Sequence, residues 1–387
     1  MSHFSPIRSK KYIIVIVFAI CILAIIEGGS YLTCCFLERK GLLYNPQTIT
    51  ETYDDYTARL NPQLGWPSVS LFGSNDFDKT GAKVVPAFPD PDRYQACLSL
   101  YGAAFAWSGE VDATHSSSNV LSILLGCRVA NYGVAGHGTD QAYLRFHDNQ
   151  ADHAKIVILG ISSDHIRWNV NRLRNLIIPA SQFVIKPRFR LNAPGQLEPV
   201  AIPALTQKEY NDMIKNPEKY LQDDFFIPEG LSGVQKFKFP YTIRVLKSFK
   251  CLIQRIINLN NPQYVKFYQP NHPSQALPVT STIVNNFYQE ARLRGKHAII
   301  VMVPLAPDLI NYQKNNNWFY QPLIDQMINY QVEYINTGPL IIKYLGDRNP
   351  GEIYNGYHGY LNNEGHKVLA EIIFNYIESK KKNKDWQ

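Results

Sequence analysis

The strongest constraint on the fold is an alternation of short apolar runs with stretches of helical spacing. The apolar runs lie at residues 96–101, 128–132, 155–159, 297–303 and 332–336. The stretches with helical spacing lie at residues 118–125, 139–147, 164–174, 281–294, 318–329 and 364–379. Apolar strands separated by helices form parallel sheets that are covered on both faces. The sequence therefore predicts an α/β fold with a doubly wound parallel sheet flanked by helices.

An apolar segment near the N-terminus predicts a membrane helix. The run Tyr12–Ile26 is short of the roughly 20 residues that span a bilayer, but residues 12–37 suffice if Glu27 lies near the far interface. Arg8, Lys10 and Lys11 precede the run, which favours a cytoplasmic N-terminus. We expect an uncleaved signal-anchor, although a cleaved signal peptide has the same layout. Either interpretation places the bulk of the chain outside the cytoplasm, in the periplasm or at the cell surface.

The pattern divides the 387 residues into four parts. Residues 1–40 form a cytoplasmic stub and the membrane segment, and residues 41–95 form an irregular lead-in. Residues 96–175 and 276–387 carry the α/β alternation. Residues 176–275 interrupt it with many prolines and a hairpin-like stretch, which predicts an insertion or cap.

Charge and cysteine placement limit the classes of partner. The formal charge is +7, but no basic stripe carries interleaved aromatic residues, so a nucleic-acid partner is not expected. An anionic surface fits this charge better. The six cysteines show no CxxC spacing, and we expect neither a metal site nor a cofactor. Cys97 and Cys127 could be bridged if their strands are neighbours, but buried free thiols are expected.

Three blocks together resemble the SGNH/GDSL family of ester hydrolases. They are Leu98–Phe105 (LSLYGAAF), Val129–Ala142 (VANYGVAGHGTDQA) and Val157–Ile166 (VILGISSDHI), and the stretch Leu361–His366 (LNNEGH) extends the likeness. The resemblance covers roughly residues 95–175 and 295–380. It implies a flavodoxin-like three-layer sandwich. The order and spacing of the blocks are more specific than any block alone.

The resemblance also implies roles for individual residues. The family's nucleophilic serine, which follows glycine and aspartate, falls on Ala104, and the aspartate falls on Ala103. Gly136 matches an oxyanion-binding glycine, and the oxyanion-binding asparagine falls on Ser163 or His165.

The base of the family's triad falls in the loop before the last predicted helix. His358 takes the position of the base, with Asn355 where the orienting aspartate should be. A second alignment puts Tyr360 at the histidine position and His358 at the aspartate position. Neither alignment contains an intact Asp–His pair.

These departures leave three hypotheses for function. The first is a catalytically impaired, membrane-anchored SGNH-type protein, whose pocket suits an ester or an O-acyl glycan. The second is that Ala103 and Ala104 replace Asp and Ser of an active esterase or deacetylase. The third is a non-enzymatic scaffold or assembly subunit of the cell envelope. A methyl group cannot attack a carbonyl, so the sequence alone leaves the activity uncertain.

Overall fold

The computed structural model describes residues 6–66, 74, 76–257, 262–356 and 359–383. The strands are β1 Leu43–Tyr44, β2 Ala96–Tyr101, β3 Arg128–Asn131, β4 Ile156–Ser162, β5 Arg188–Leu191, β6 Leu197–Val200, β7 Gln235–Lys236, β8 His297–Val303 and β9 Tyr334–Asn336. The helices are α1 Pro6–Arg39, α2 Tyr53–Arg59, α3 Ala104–Trp107, α4 Ser117–Leu125, α5 Thr139–Asp148, α6 Gln207–Lys215, α7 Tyr241–Ile257, α8 Ala276–Leu293, α9 Ala306–Asn315, α10 Gln321–Asn329, α11 Thr337–Leu345 and α12 Asn363–Lys382.

The predicted parallel sheet is confirmed. Its five strands lie in the order β3-β2-β4-β8-β9, and every neighbouring pair is parallel. This is the flavodoxin-like order, in which the second strand along the chain lies outside the first. Helices α5, α8 and α10 pack together on β2, β4 and β8, whereas α4, α11 and α12 form a separate packed group that contacts β3 and β8. The result is a three-layer sandwich.

The chain divides into two compact units. The first comprises Met1–Tyr53, Leu173–Phe183 and Leu205–Leu259, and the second comprises Asp54–Arg172, Val184–Ala204 and Asn260–Gln387. The sheet belongs to the second unit. The predicted insertion, residues 176–275, is shared between the two: its hairpin β5–β6 is antiparallel and lies in the second unit, and α6 and α7 lie in the first.

Helix α1 is the one helix in the described residues that is long and apolar enough to cross a membrane. The segment Lys11–Arg39 has a mean hydropathy of 2.6, and none of its most apolar window is buried. Residues 11–26 are exposed, and Ile14, Phe18 and Leu23 are each more than half exposed. A helical segment that is apolar and exposed on all sides is suited to lipid.

The expectation of free thiols at Cys97 and Cys127 is wrong, because the structure joins them in a disulfide. Strands β2 and β3 are parallel neighbours, with Ala96 paired to Arg128, and this register brings the two Cα atoms to 6.1 Å. That separation lies within the range that a disulfide spans. The sequence could not reveal which strands are adjacent.

We expect the disulfide to stabilise the second unit. It closes a loop with a sequence separation of 30, for which the chain-entropy model gives about 3–4 kcal/mol. Replacing both Cys97 and Cys127 with Ala should lower the melting temperature in detergent, whereas Cys21→Ala, at an exposed position on α1, should not. Equal melting temperatures for the double variant and the parent would show that the bond does not form.

Candidate functional site

The sequence-predicted site residues lie at the carboxyl edge of the parallel sheet. Ala104 is the first residue of α3, directly after β2, and Gly136 lies in the turn after β3 with φ of 77°. Ser163 and His165 lie on the 3₁₀ helix Ser163–Val170 that follows β4. In doubly wound sheets this edge is where ligands bind. The strand topology therefore gathers these residues at the expected place.

Two of the residues considered for the triad's base region, Asn355 and Tyr360, lie in the loop that leads to α12. Asn355 is exposed, and its backbone N–H donates to the carbonyl of Tyr360 at 2.8 Å. Tyr354 ties this loop to the end of β8, because its hydroxyl donates to the carbonyl of Pro304 at 2.8 Å. His358 lies outside the described residues, so its role as base stays a prediction.

Apolar packing fills the space around the nucleophile position. Ala103 and Ala104 are 2% and 4% exposed. The ring of Phe105 lies over β4, where a Cβ on Gly160 would come within 1.9 Å of it. A Cβ on Gly133 would meet Ala106 at 2.5 Å. These two glycines therefore allow α3 to press against the strand ends, and at these positions glycine serves packing.

Both side chains predicted to bind the oxyanion are buried, and Ser163 already has a hydrogen-bond acceptor. The Ser163 hydroxyl donates to the carboxylate of Asp308, and the serine is fully buried. His165 is 3% exposed, and its Nδ1 accepts the backbone N–H of Ser162 at 3.2 Å. Burial lowers the pKa of His165, which favours the neutral ring. An oxyanion at Ser163 would have to displace Asp308.

Asp308 is the residue at this edge that sequence analysis missed. It follows β8 at the start of α9, and its Oδ2 accepts the backbone N–H of Leu305 at 2.8 Å in addition to the Ser163 hydroxyl. Burial raises the pKa of Asp308 to about 7, although these two hydrogen bonds oppose the shift. The three-residue spacing from Leu305 to Asp308, after a predicted strand, is typical of the start of a helix. Nothing in the neighbouring sequence indicates that Ser163 is the partner of Asp308.

Buried tyrosines surround this aspartate. Burial raises the pKa of Tyr268 and Tyr354 well above the usual value, and the charge of Asp308 adds to each shift. Tyr268 donates to the carbonyl of Ser163 at 2.6 Å, and Tyr320 donates to Asn336 Oδ1 at 2.9 Å. Buried, hydrogen-bonded tyrosines therefore lie along the carboxyl edge of β4, β8 and β9.

A second polar cluster supports the turn after β3. Asp140 and Lys186 form an ion pair in which the side chains are 0% and 2% exposed. The backbone N–H of Asp140 donates to Asn169 Oδ1 at 3.2 Å, and Gln141 Nε2 donates to the carbonyl of Leu64 at 2.7 Å. Asp140 and Gln141 thus act as structural hydrogen-bonding residues. The side chain of Lys186 is buried inside the second unit, so it is not placed to bind an anion from solvent.

His366 and Ser117 form a buried contact elsewhere in the second unit. Ser117 Oγ lies 2.6 Å from His366 Nδ1, and the two side chains join α4 to α12. Burial lowers the pKa of His366 to about 4. The histidine is 0% exposed and the serine 3% exposed, so this pair is a structural link between helices.

A cleft lies beside β3, and its lining differs from the predicted site residues. It has a volume of about 420 Å³. Its lining consists of Asn61, Gln63, Leu64, Thr80, Gly81, Tyr132, Arg145, Asp148 and Asn149. None of the predicted site residues belongs to it. Within the described part of the chain, no group of three His, Cys, Asp or Glu side chains is placed to hold a metal ion.

Solved structures similar to this chain include several esterases. A protein of the G-D-S-L lipolytic family from Desulfitobacterium hafniense aligns at 11% identity and a TM-score of 0.35, with coverage of 72% of this chain and 97% of that one. An acetylxylan esterase from Geobacillus stearothermophilus aligns at 10% identity and a TM-score of 0.38, with coverage of 73% and 94%.

A lipase/acylhydrolase from Enterococcus faecalis aligns at 8% identity and a TM-score of 0.37, with coverage of 74% of this chain and 97% of that one. No protein-family model matches the sequence. No curated protein matches it either.

The protonation of Asp308 generates a pH prediction. Its raised pKa means that the folded protein binds an extra proton between about pH 4 and pH 7, so its contribution to the free energy of unfolding falls as pH rises through 7. Asp308→Asn cannot ionise. The difference in melting temperature, variant minus parent, should therefore be more positive at about pH 8 than at about pH 5.

The control for this measurement is Asp325→Asn, at an exposed aspartate on α10. A difference between Asp308→Asn and its parent that stays constant with pH would contradict the raised pKa.

The Asp140–Lys186 pair generates a second prediction. Lys186→Met leaves a buried carboxylate without its partner and should cost about 3–5 kcal/mol in the free energy of unfolding. The double change Asp140→Leu with Lys186→Met should recover most of that loss, because no charge remains buried. Denaturant unfolding in detergent measures both.

Lys79→Met is the matched control, since Lys79 pairs with Asp92 at a surface where the side chains are 63% and 71% exposed. It should cost no more than about 1 kcal/mol. A loss from Lys186→Met as small as this would contradict the structural role of the buried pair.

Proposed function

We propose that this chain is a membrane-anchored extracytoplasmic protein whose SGNH-like unit binds an ester or O-acyl group without hydrolysing it. The observation that carries the proposal is Ala104 at the start of α3. In the resemblance the attacking serine falls on this residue, which follows β2 at the carboxyl edge of the sheet. A methyl group can neither lose a proton nor form an acyl intermediate.

Two features support a location outside the cytoplasm. Arg8, Lys10 and Lys11 precede the apolar part of α1, and this charge bias favours a cytoplasmic N-terminus. The disulfide between Cys97 and Cys127 is of a kind that persists in oxidising compartments and is rare in the cytosol. Both features favour export of the second unit.

The surroundings of Ala104 support loss of hydrolysis. Ala103 replaces the family's aspartate, and Asn355 replaces the aspartate that would orient the base. An asparagine carries no charge with which to stabilise an imidazolium. Ser163 is already bonded to Asp308, so the oxyanion also lacks a ready donor there. Several of the family's catalytic positions therefore differ together in this chain, and residual catalysis depends on substrate binding alone.

We expect no ester hydrolysis above background from this chain, measured with p-nitrophenyl acetate. Ala104→Ser combined with Ala103→Asp should remain near background, because the new serine still lacks an Asp–His pair. Adding Asn355→Asp should raise the rate, and His358→Ala in that triple variant should abolish the gain. Each variant needs a melting curve that matches the parent.

Substantial turnover in the Ala103→Asp, Ala104→Ser double variant would contradict the proposal. It would mean that the remaining groups form a working site, and that the two alanines replace the catalytic residues of an active esterase. A deacetylase that acts on glycans would then be the better description.

A scaffold role is the second candidate function. Ala104 and Phe105 are 4% and 2% exposed, and the Phe105 ring fills the space above Gly160. Because positions 104 and 105 are closed to solvent, they favour a protein that contacts its partners through other surfaces. Calorimetry with acetylated and deacetylated forms of one glycan separates the candidates, since a scaffold should not distinguish them.

A further inference from the structure

Helix α7 has an amphipathic surface that the proposed ligand-binding role does not use. Its sequence contains basic residues and no acidic residue. Val245 and Leu252 pack against the core formed by Cys34, Leu37, Leu42 and Leu43 of the first unit. On the outer side of the helix, Ile243 is 45% exposed, Leu246 68%, Phe249 57% and Ile253 40%. We call these four outer residues the apolar face of α7.

The start of α7 is fixed to α1 by Glu27. The carboxylate of Glu27 accepts the backbone N–H of Tyr241 at 2.7 Å and that of Thr242 at 3.3 Å. Ser30 and Thr242 are hydrogen-bonded at 2.9 Å through their hydroxyls. A carboxylate at a helix N-terminus is stabilised by unpaired N–H groups and the helix dipole. Glu27, the acidic residue in the apolar segment, therefore has its partners at the start of α7.

The position of Glu27 along α1 sets the depth of α7 relative to a bilayer. At 1.5 Å per residue, Glu27 lies about 22 Å along the helix from Tyr12. If Tyr12 marks one edge of a hydrocarbon core about 30 Å thick, Glu27 lies about 8 Å inside the opposite edge. Helices that lie in a membrane interface bury their apolar face about 5–10 Å into it. The start of α7, where Glu27 is bound, lies within that range, whereas Val245 and Leu252 pack against a core that includes Cys34 and Leu37, further outward along α1.

Charge and surface continuity identify the occupant of this face. Lipid-facing side chains of α1 near Glu27 are exposed, with Ile25 at 75% and Leu32 at 69%, and Phe239 just before α7 is 68% exposed. Lys247 lies about 100° around the helix from Leu246, so a basic side chain borders the apolar face. Apolar and basic residues in this arrangement match an anionic lipid surface.

We propose that α7 is an interfacial helix whose apolar face inserts into the outer leaflet of the membrane that α1 crosses. The inference rests on the proposed membrane anchoring of α1. The helix would hold the first unit against the bilayer at a fixed depth. Since Glu27 joins the two helices, α1 and α7 form one membrane-contacting element in which α1 crosses the bilayer and the apolar face of α7 contacts the outer leaflet beside it.

The test uses the full-length protein in vesicles of phosphatidylcholine with one quarter phosphatidylglycerol. The cysteines outside the disulfide are replaced with Ala, and a single cysteine carrying an environment-sensitive fluorophore is placed by Ile16→Cys, Leu246→Cys or Lys247→Cys. Lipids carrying a quencher in the acyl chain report depth. Position 247 is the matched control, since it lies on the same helix beside the apolar face.

We expect quenching at 16 and at 246, with quenching at 246 roughly twofold or more above that at 247. The difference should shrink in vesicles of pure phosphatidylcholine, because the basic residues then lose their anionic partners. Strong quenching at 16 with equal, weak quenching at 246 and 247 would overturn the interfacial helix and leave the anchor intact. Absence of quenching at 16 would instead overturn the anchoring of α1, and the inference with it.

Discussion

The carboxyl edge of the sheet depends on the close approach of α3 to the strand ends. A Cβ on Gly160 would come within 1.9 Å of the Phe105 ring, and one on Gly133 within 2.8 Å of the backbone of Ala106. Glycine at these two positions lets the short helix lie directly on the sheet. That contact fixes the first residue of α3, Ala104, at the exit of β2. The geometry of the candidate site therefore follows from packing between backbone and ring, independently of any catalytic group.

Local pattern was sufficient to predict the sheet. The predicted strands at residues 96–101 and 297–303 coincide with β2 and β8, and the hairpin predicted in the insertion is β5–β6. These segments are recognisable in the sequence because buried parallel strands are short, continuous apolar runs bounded by glycine or polar residues. The order of the strands did not follow from local pattern, but a parallel sheet places the carboxyl ends of all its strands at one edge. The edge at which the site lies was then fixed.

Local sequence pattern could not predict contacts between residues that are distant in the chain. Cys97 and Cys127, Ser163 and Asp308, and Asp140 and Lys186 each pair across tens of residues or more. A polar residue in a sequence indicates that it needs a partner when buried, but not which one. The helix α7 was missed for a related reason. Its neighbour is α1, more than 200 residues earlier, and nothing in the local sequence indicates the contact at Glu27.

The burial of positions 103 and 104 bears on why alanine is tolerated there. At 2% and 4% exposure, an aspartate and a serine would each need hydrogen-bond partners to offset the loss of water. Active sites commonly carry such a cost, and a protein without selection for turnover gains stability by removing it. Two alanines beside Phe105 fill the space with apolar atoms and leave no polar group unsatisfied. The glycines and the ring that shape this edge are separate from the side chains at positions 103 and 104, so the packing of the edge does not depend on an aspartate or a serine there.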